Sequence, residues 1–438
     1  MLSKLHPIKL RSPISFCFLL IFFCNHTVFA SNAIISQRDD AQKIFTNYKD
    51  RIYQIRVIEK KSNKKSSIGS GFVISGTGHI ATNFHVVSAI VHSPENYYLE
   101  YLDQSSNKGP LTLLSVDVIH DLAIVKADLP TQDKLNFSKS NMDVGKKLFS
   151  MGNPHDLGLT IVEATYNGLL ERSRYNKILL SGSLNPGMSG GPTLDRSGKV
   201  VGINVSTAGN QISFLVPVKY LEKLYKELET PENGNNDIDF HQQIESQLII
   251  DQALFFTHML NLNWEKDTLG DYELPGKINQ QIKCWGESAT DEDRIVDKSI
   301  SQCSTEDSIF VSRNFTTGGL KYVFKQISNR NLSKLHFYQI YSQYFTNQIT
   351  ANRVSKRFVS NYSCQSDFLK IAKQSWKTTL CARRYKKYAS LYDISFNMAE
   401  VSHDDKGMVF QLSIAGITQE MSDKLIKRFI EEIKWRKS

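Results

Sequence analysis

The stretch Asn185-Pro-Gly-Met-Ser189-Gly-Gly-Pro192 places a serine among three glycines and two prolines, a composition typical of a tight loop. Glycine allows backbone conformations that are closed to other residues. Such a loop can direct the backbone N–H groups of Gly187 and Ser189 at a carbonyl oxygen that is gaining negative charge. A serine hydroxyl is a poor nucleophile near pH 7, so a base must lie within hydrogen-bond reach of it.

Two stretches earlier in the chain supply a base and an acid. His85 ends the run Gly78-His-Ile-Ala-Thr-Asn-Phe-His85, and Asp121 comes directly before the apolar run Leu122–Val125. A histidine can take a proton near pH 7 and return it to a leaving amine, while a carboxylate fixes the imidazole tautomer. The ordered set therefore predicts a catalytic triad of His85, Asp121 and Ser189, with an oxyanion hole formed by the backbone of Gly187 and Ser189.

Neighbouring residues offer alternatives for two of these roles. His79 and His120 are nearby histidines, but each is more simply a loop or turn residue. Asp117 and Asp128 compete with Asp121 for the role of the acid. Asp121 is favoured because it directly abuts a run that predicts a buried strand.

The pattern around these motifs predicts an all-β domain. Residues 41–230 contain short β-type runs separated by glycines, which is typical of a barrel or sandwich. A closing helix is predicted over Leu221–Leu228, and the turn-rich stretch 231–239 is the predicted linker. The predicted strands are Ile52–Ile58, Gly71–Ser75, His79–Thr82, Leu111–Val118, Leu122–Ala127, Lys146–Met151, Lys177–Ser181, Val200–Asn204 and Ile212–Val216.

Residues 240–438 have a different pattern, which predicts a separate α+β domain. Apolar residues recur at helical spacing from Ile244 to Leu260. Further helices are predicted near Leu335–Tyr344, Phe368–Trp376 and Asp423–Lys434, and strands over Tyr392–Glu400 and Met408–Ala415. We see no internal repeat in the sequence.

The first thirty residues predict a cleaved signal peptide. Lys4, Lys9 and Arg11 precede an apolar run over 14–24, and small residues at Val28 and Ala30 suit a signal peptidase. This predicts an exported protein, periplasmic or secreted, whose first domain spans residues 31–230. Removing the segment lowers the formal charge from +9 to +6.

Four cysteines remain after residue 30, and in an exported chain they usually pair. Sequence nearness favours Cys284–Cys303 and Cys364–Cys381 among three connectivities. A four-cysteine metal site would be expected to contain a Cys-x-x-Cys pair, and the sequence has none. We predict neither a metal nor an organic cofactor, because the triad chemistry needs neither.

Residues 41–220 resemble the protease domain of HtrA/Deg-type trypsin-like serine proteases. The matching stretches are Gly69-Ser-Gly-Phe, Thr82-Asn-Phe-His85-Val-Val, Asp121-Leu-Ala-Ile-Val, Met151-Gly-Asn-Pro154, Asn185-Pro-Gly-Met-Ser189-Gly-Gly-Pro and Gly202-Ile-Asn204. The resemblance implies two six-stranded barrels of trypsin type with the active site between them, and a serine endopeptidase acting on proteins or peptides. It also implies the same catalytic triad and the same oxyanion hole that the chemistry of the individual residues predicts.

The resemblance further implies a substrate pocket walled by Ser183, Val205 and Thr207. None of these side chains is acidic, so a preference for Lys or Arg before the scissile bond lacks its counter-charge. Related glutamyl endopeptidases carry a His where this chain has Asn204, which argues against a preference for Glu. We therefore expect small or medium apolar residues there. Met188 departs from the family pattern, and no PDZ domain is recognisable after the protease domain.

The segment 311–387 contains fifteen Lys and Arg residues and one acid, Asp367. One interpretation is a surface for an anionic partner; the other, which we favour, is a solvated basic face. Two alternatives to a general exported protease also fit the sequence. One is a secreted effector protease with a narrow target, and the other is a chaperone-like or stress-sensing binder in which proteolysis is latent.

Overall fold

The computed structural model describes residues 40–129, 133–139, 142–229, 239–289, 295–371 and 373–436. The predicted signal peptide, residues 1–30, lies outside them, as does the predicted linker apart from Asp239. Residues 40–229 are called the first domain below, and residues 239–436 the second domain. Within these ranges no helix has the length and apolar character needed to cross a membrane.

The first domain consists of two closed antiparallel barrels of six strands each, with strand orders β1-β2-β3-β6-β5-β4 and β10-β11-β12-β9-β8-β7. The double-barrel prediction is confirmed. The strands of the first barrel are β1 Ile52–Glu59, β2 Lys64–Val73, β3 His79–Thr82, β4 Tyr97–Leu102, β5 Lys108–Asp117 and β6 Leu122–Ala127. Those of the second barrel are β7 Lys147–Gly152, β8 Thr160–Leu169, β9 Ile178–Ser181, β10 Pro192–Leu194, β11 Val200–Gly209 and β12 Ile212–Pro217.

A shared hydrophobic cluster fixes the two barrels against each other. Phe72 and Ile124 of the first barrel and Phe149 and Ile203 of the second are fully buried in it. Three helices complete the domain: α1 over residues 40–48, α2 Phe84–His92 and α3 Val218–Leu228. Because the barrels share this core, the loops at their junction are held in a constant relative position.

The second domain is built on a seven-stranded antiparallel sheet with strand order β15-β16-β19-β23-β22-β21-β20. Helices α4 and α6 pack against one face, where Phe256 and Phe429 meet Phe410, and α5 covers part of the other, where Tyr341 meets Val409. The α+β prediction is confirmed. The helices are α4 Phe240–Leu260, α5 Lys334–Thr346 and α6 Gln419–Glu431. The strands are β13 Lys266–Leu269, β14 Tyr272–Pro275, β15 Ile282–Ala289, β16 Val296–Thr305, β17 Ile309–Ser312, β18 Phe315–Thr317, β19 Leu320–Asn329, β20 Ser363–Ile371, β21 Gln374–Arg384, β22 Tyr392–Glu400, β23 Lys406–Ile417 and β24 Lys434–Trp435.

Both predicted disulfides are confirmed: Cys284 is bonded to Cys303, and Cys364 to Cys381. Each joins directly opposed residues of neighbouring strands at one end of the sheet order, β15 with β16 and β20 with β21. The edge strand β20 is exposed along almost its whole length. Few packing contacts hold this strand in the sheet, and the disulfide to β21 attaches it covalently instead.

The predicted helix over Phe368–Trp376 is wrong. The residues up to Ile371 end β20 and those from Gln374 begin β21, with Leu369 opposite Trp376. The turn contains Lys373 in the left-handed region, at a φ of 70°. Apolar residues on a short hairpin can match helical spacing by chance, and pairing across the turn decides between the two structures.

The two domains share a continuous hydrophobic core. It joins Val116 and Tyr175 of the first domain to Ile244, Leu248 and Tyr388 of the second. The side-chain amide of Gln247 on α4 extends the contact, because its Oε1 accepts from the Val118 N–H at 2.8 Å and its Nε2 donates to the Val116 carbonyl at 2.7 Å. The second domain is thus docked through a desolvated interface.

A histidine at the interface between the two domains is expected to make the stability of the folded chain depend on pH. His92, at the end of α2, donates from Nε2 to the Val311 carbonyl at 2.7 Å. Burial lowers the pKa of His92 from 6.5 to about 4, and His241, Lys387 and Arg357 around it act in the same direction. The folded-state pKa is below the unfolded value, so the stabilising contribution is complete above pH ~6.5 and is lost as the pH falls towards 4.

We expect the free energy of unfolding of the full chain to fall between pH ~6.5 and ~4, and His92→Gln to reduce that dependence. The Gln side chain keeps an N–H donor for the Val311 carbonyl, and it is not protonated in this pH range. Chemical denaturation across this range measures it. His258→Gln, at an exposed position on α4, is the control. An equal slope for wild type and His92→Gln would contradict the prediction.

Candidate active site

The loop that carries Ser189 is fixed by its own backbone bonds and by its neighbours. The Ser189 carbonyl accepts from the Ser70 N–H at 2.7 Å, and the Pro186 carbonyl accepts from the His155 N–H at 2.8 Å. Gly187 has a φ of 98°, and a Cβ there would lie 2.3 Å from the Asn153 carbonyl oxygen. This position therefore requires glycine.

The orientation of the Pro186–Gly187 peptide determines where the Gly187 N–H points. The C=O and N–H of a trans peptide point in opposite directions. Since the Pro186 carbonyl is bonded to His155, the Gly187 N–H points away from that bond. Within the part of the chain that the structure describes, no protein acceptor engages the N–H of Gly187 or of Ser189.

His85 and Asp121 form a close pair at the start of α2. His85 Nδ1 lies 2.6 Å from Asp121 Oδ2, and Asp121 Oδ1 accepts from the His85 N–H at 2.8 Å. The Asp121 carbonyl accepts from the Phe84 N–H at 3.1 Å and from Asn83 Nδ2 at 2.8 Å. These bonds hold Asp121 in the left-handed region, at a φ of 57°. The carboxylate therefore also caps the N-terminus of α2.

Two opposed effects act on the pKa of His85. Burial disfavours the imidazolium, while the charge of Asp121 and the hydrogen bond to it favour it. The second effect is stronger, so the pKa of His85 is raised above 6.5. The pair is thus suited to hold a proton on the imidazole once one has been accepted.

Ser189 lies at the barrel junction with its hydroxyl engaged by a carbonyl. Its Oγ donates to the Val205 carbonyl at 3.3 Å and makes no other hydrogen bond to the described residues. No hydrogen bond joins this hydroxyl to His85 among the described residues, so the hydroxyl has to be redirected before it can give its proton to that base. Long or redirected catalytic hydrogen bonds are common in proteins without substrate.

The structure also shows where the alternative residues lie. His120 pairs with Asp117 at 2.6 Å, and its ring is stacked on Tyr220 at 3.7 Å between centroids. His79 is bonded to Ser75 on the first barrel. Two such His–Asp pairs are thus present among the described residues, and His120 of the second has its face covered by an aromatic ring.

Ser70 also lies at this site, and the sequence motifs had assigned no role to it. Its Oγ donates to the Gly187 carbonyl at 2.7 Å and accepts from the Asn153 N–H at 2.9 Å. Its own carbonyl accepts from Thr82 Oγ1 at 2.7 Å. Ser70 is fully buried and connects the first barrel to the Ser189 loop. The signal in the sequence was the Gly69-Ser-Gly-Phe stretch itself, without a role attached.

We expect Ser70→Ala to destabilise the chain by about 1–3 kcal/mol, because the Gly187 carbonyl and the Asn153 N–H each lose a partner. The turnover number should fall more than KM changes, since the Ser189 loop is loosened. Thermal unfolding and steady-state kinetics measure both effects. Ser150→Ala is the control, because Ser150 is equally buried but bonds Thr193. Equal kinetic effects in both variants would contradict the prediction.

Comparison with known proteins identifies this part of the chain. Residues 69–203 match the family model described as "Trypsin-like peptidase domain". The first domain contains a trypsin-like peptidase domain. The two barrels and their loops are called the peptidase domain from here on, and the resemblance to HtrA/Deg-type proteases is confirmed for it.

The match to this chain covers only part of the length of each relative. "Serine protease HtrA-like" of Staphylococcus aureus (strain MRSA252) is 29% identical over 228 residues, which are 44% of this chain and 29% of that protein. "Protease Do-like 1, chloroplastic" of Arabidopsis thaliana is 32% identical over 167 residues, which are 34% of this chain and 36% of that protein. The chain thus spans about a third of the length of these curated relatives.

Two solved structures are similar to the chain. A serine endoprotease from Yersinia pestis is 22% identical, with a TM-score of 0.38, over 43% of this chain and 66% of the other. Deg5 is 23% identical, with a TM-score of 0.37, over 43% of this chain and 92% of the other.

The predicted pocket residues lie on the second barrel of the peptidase domain. Ser183 follows β9 and is exposed, Val205 is half-buried on β11, and Thr207 is exposed on the same strand. Thr207 stands opposite Ser213 on β12, and the Ser213 hydroxyl donates to the Gly182 carbonyl at 2.7 Å. The common pocket formed by these three residues stays a prediction.

Two further predictions concern metal binding and the basic segment 311–387. Across the described ranges, no group of three or more His, Cys, Asp or Glu residues could hold a metal ion. In the basic segment, three cations pair with acids outside it: Arg330 with Asp297, Lys334 with Asp404 and Arg383 with Asp393. The choice between a solvated basic face and an anionic partner site stays a prediction.

Proposed function

We propose that the chain is an exported serine endopeptidase that hydrolyses peptide bonds of proteins through His85, Asp121 and Ser189. The observation that supports it most directly is the 2.6 Å contact between His85 Nδ1 and Asp121 Oδ2. It leaves Nε2 of the imidazole as the nitrogen that accepts a proton from a nucleophile. The similarity of the peptidase domain to HtrA-like serine proteases points to the same reaction.

In the proposed mechanism, the Ser189 hydroxyl turns from the Val205 carbonyl towards His85 and attacks the scissile carbonyl. His85 takes the hydroxyl proton and later gives it to the leaving amine, while Asp121 stabilises the imidazolium. The Gly187 and Ser189 N–H groups stabilise the negative charge that forms on the carbonyl oxygen. Both groups are available, because no protein acceptor among the described residues uses them. A water then releases the acyl group by the same steps.

The uncharged pocket region supports a preference for small or medium apolar residues on the acyl side of the scissile bond. Ser183, Val205 and Thr207 present neither an acid for Lys and Arg nor a base for Glu and Asp. Cleavage of a peptide library measures this preference. Cleavage mainly after basic or acidic residues would contradict it.

A fluorophosphonate probe tests the proposed function. Residues 31–438 are treated with the probe beside Ser189→Ala, and mass spectrometry locates the label. Label on Ser189 alone is the expected result, because the probe reacts with a serine whose base and oxyanion donors are in place. A folded protein with no label would reject an assembled active site and favour the chaperone-like alternative.

A further inference from the structure

A cavity of about 120 Å³ lies where the peptidase domain meets the second domain. Most of its lining is apolar: Val205, Val216 and Tyr175 contribute from the peptidase domain, and Ile309 and Phe310 from the second domain. His120, Asp121, Lys177 and Ser308 add polar groups at its wall. Val205 is also the residue whose carbonyl accepts from the Ser189 hydroxyl. The cavity therefore borders Asp121 and Val205, the residues bonded to His85 and Ser189, and part of its wall comes from outside the peptidase domain.

The wall from the second domain is the β17–β18 hairpin. Side chains on a strand alternate between its two sides. Ile309 and Val311 are buried in the shared core, whereas Phe310 is only partly buried. The Phe310 ring lies 6.0 Å from the His85 ring between centroids, at 74°, an edge-to-face contact. The second domain thus touches the proposed catalytic base directly.

Charged contacts fix this hairpin to the peptidase domain. The Asp307 carboxylate accepts from Ser173 Oγ at 2.9 Å, from the Arg174 N–H at 2.8 Å and from Lys177 Nζ at 2.7 Å. Arg174 in turn pairs with Asp251 at 2.5 Å and donates to the Gly318 carbonyl at 3.1 Å. These groups are partly buried, so Phe310 is held in one position by several mutually supporting bonds.

One polar group at the cavity lacks a partner. The Tyr175 hydroxyl is buried and has no hydrogen bond among the residues that the structure describes. An unpaired buried hydroxyl costs about 1–3 kcal/mol. A backbone carbonyl of a bound chain, rather than its apolar side chain, would give this group a partner.

We propose that the cavity is a substrate subsite whose specificity is set by Phe310 of the second domain, and that it accepts one medium-sized apolar side chain. The proposal rests on the proposed function. An engineered apolar cavity of ~150 Å³ holds a benzene molecule, so the volume suits a side chain of about that size or smaller.

Cleavage profiling of a peptide library by the full chain tests this subsite. Phe310→Ala is expected to reduce the preference for medium apolar residues at one position by about tenfold, with Phe310→Leu intermediate because it keeps part of the wall. Tyr175→Phe should alter the profile at the same position. Leu335→Ala, at a site 82% exposed on α5, is the control and should leave the profile unchanged. Thermal unfolding confirms that each variant is folded.

Fluorophosphonate labelling of the same samples separates the outcomes. If Ser189 is labelled and the profiles of wild type and Phe310→Ala are identical, the subsite is wrong and the proposed function stands. A uniform rise in cleavage of all peptides by Phe310→Ala would also overturn it, because Phe310 would then only obstruct the cleft. If Ser189 is not labelled in the wild type, the proposed function fails and the subsite fails with it.

Discussion

Ser189→Ala is expected to lower the turnover number for peptide hydrolysis by about 10⁶-fold, the scale of losing the nucleophile from an interdependent catalytic set. The fold should be unaffected, because the Ser189 hydroxyl bonds the described residues only through the 3.3 Å contact with Val205. The bonds that fix the loop, including Ser70 N–H to the Ser189 carbonyl, come from the backbone. Hydrolysis of a quenched fluorescent peptide and thermal unfolding measure the two effects.

Two controls make this result specific. Ser197→Ala changes an exposed serine in the turn before β11 and should leave turnover near the wild-type value. Combining Ser189→Ala with His85→Ala should cost no more than Ser189→Ala alone, because members of one catalytic set are strongly non-additive. Substantial activity in Ser189→Ala would show that hydrolysis proceeds elsewhere in the chain.

The barrels could be predicted because their short β-type runs are separated by glycines, but three strands (β4, β8 and β10) and two helices (α1 and α2) could not. β10 has only three residues and begins at Pro192, and α2 contains the β-branched pair Val86 and Val87. Both are decided by tertiary packing, since each is too short or too weakly patterned to be recognised alone. The same limit applied to the hairpin at Phe368–Trp376.

The local part of the candidate site could be predicted from sequence order, and its surroundings could not. His85, Asp121 and Ser189 stand in separate motifs that each carry a chemical signal. Ser70 lacks one, because its role depends on which carbonyl its hydroxyl reaches after folding. Phe310 lies even further along the sequence from the peptidase residues that it contacts. The neighbouring contact, between His92 and Val311, joins residues 219 positions apart. No local pattern encodes such a contact.

Asp121→Asn is expected to lower the turnover number by about 10⁴-fold without disturbing the backbone. Asn tolerates the left-handed conformation that Asp121 adopts, and its side-chain oxygen can still accept from the His85 N–H. Its amide N–H₂ would face Nδ1 of His85, however, and would favour the tautomer that carries its proton on Nε2. That tautomer cannot accept a proton from Ser189.

The pH profile gives this prediction a second readout. Proton transfer needs neutral His85, whose pKa is raised above 6.5, so wild-type kcat/KM should fall as the pH drops through a midpoint above 6.5. Asp121→Asn removes the charge that raises the pKa while the burial that lowers it remains, so the midpoint should move to lower pH. Asp117→Asn makes the same substitution in the His120–Asp117 pair, which is bonded at the same 2.6 Å. It should leave rate and midpoint near wild type; a larger effect than that of Asp121→Asn would assign catalysis to the other pair.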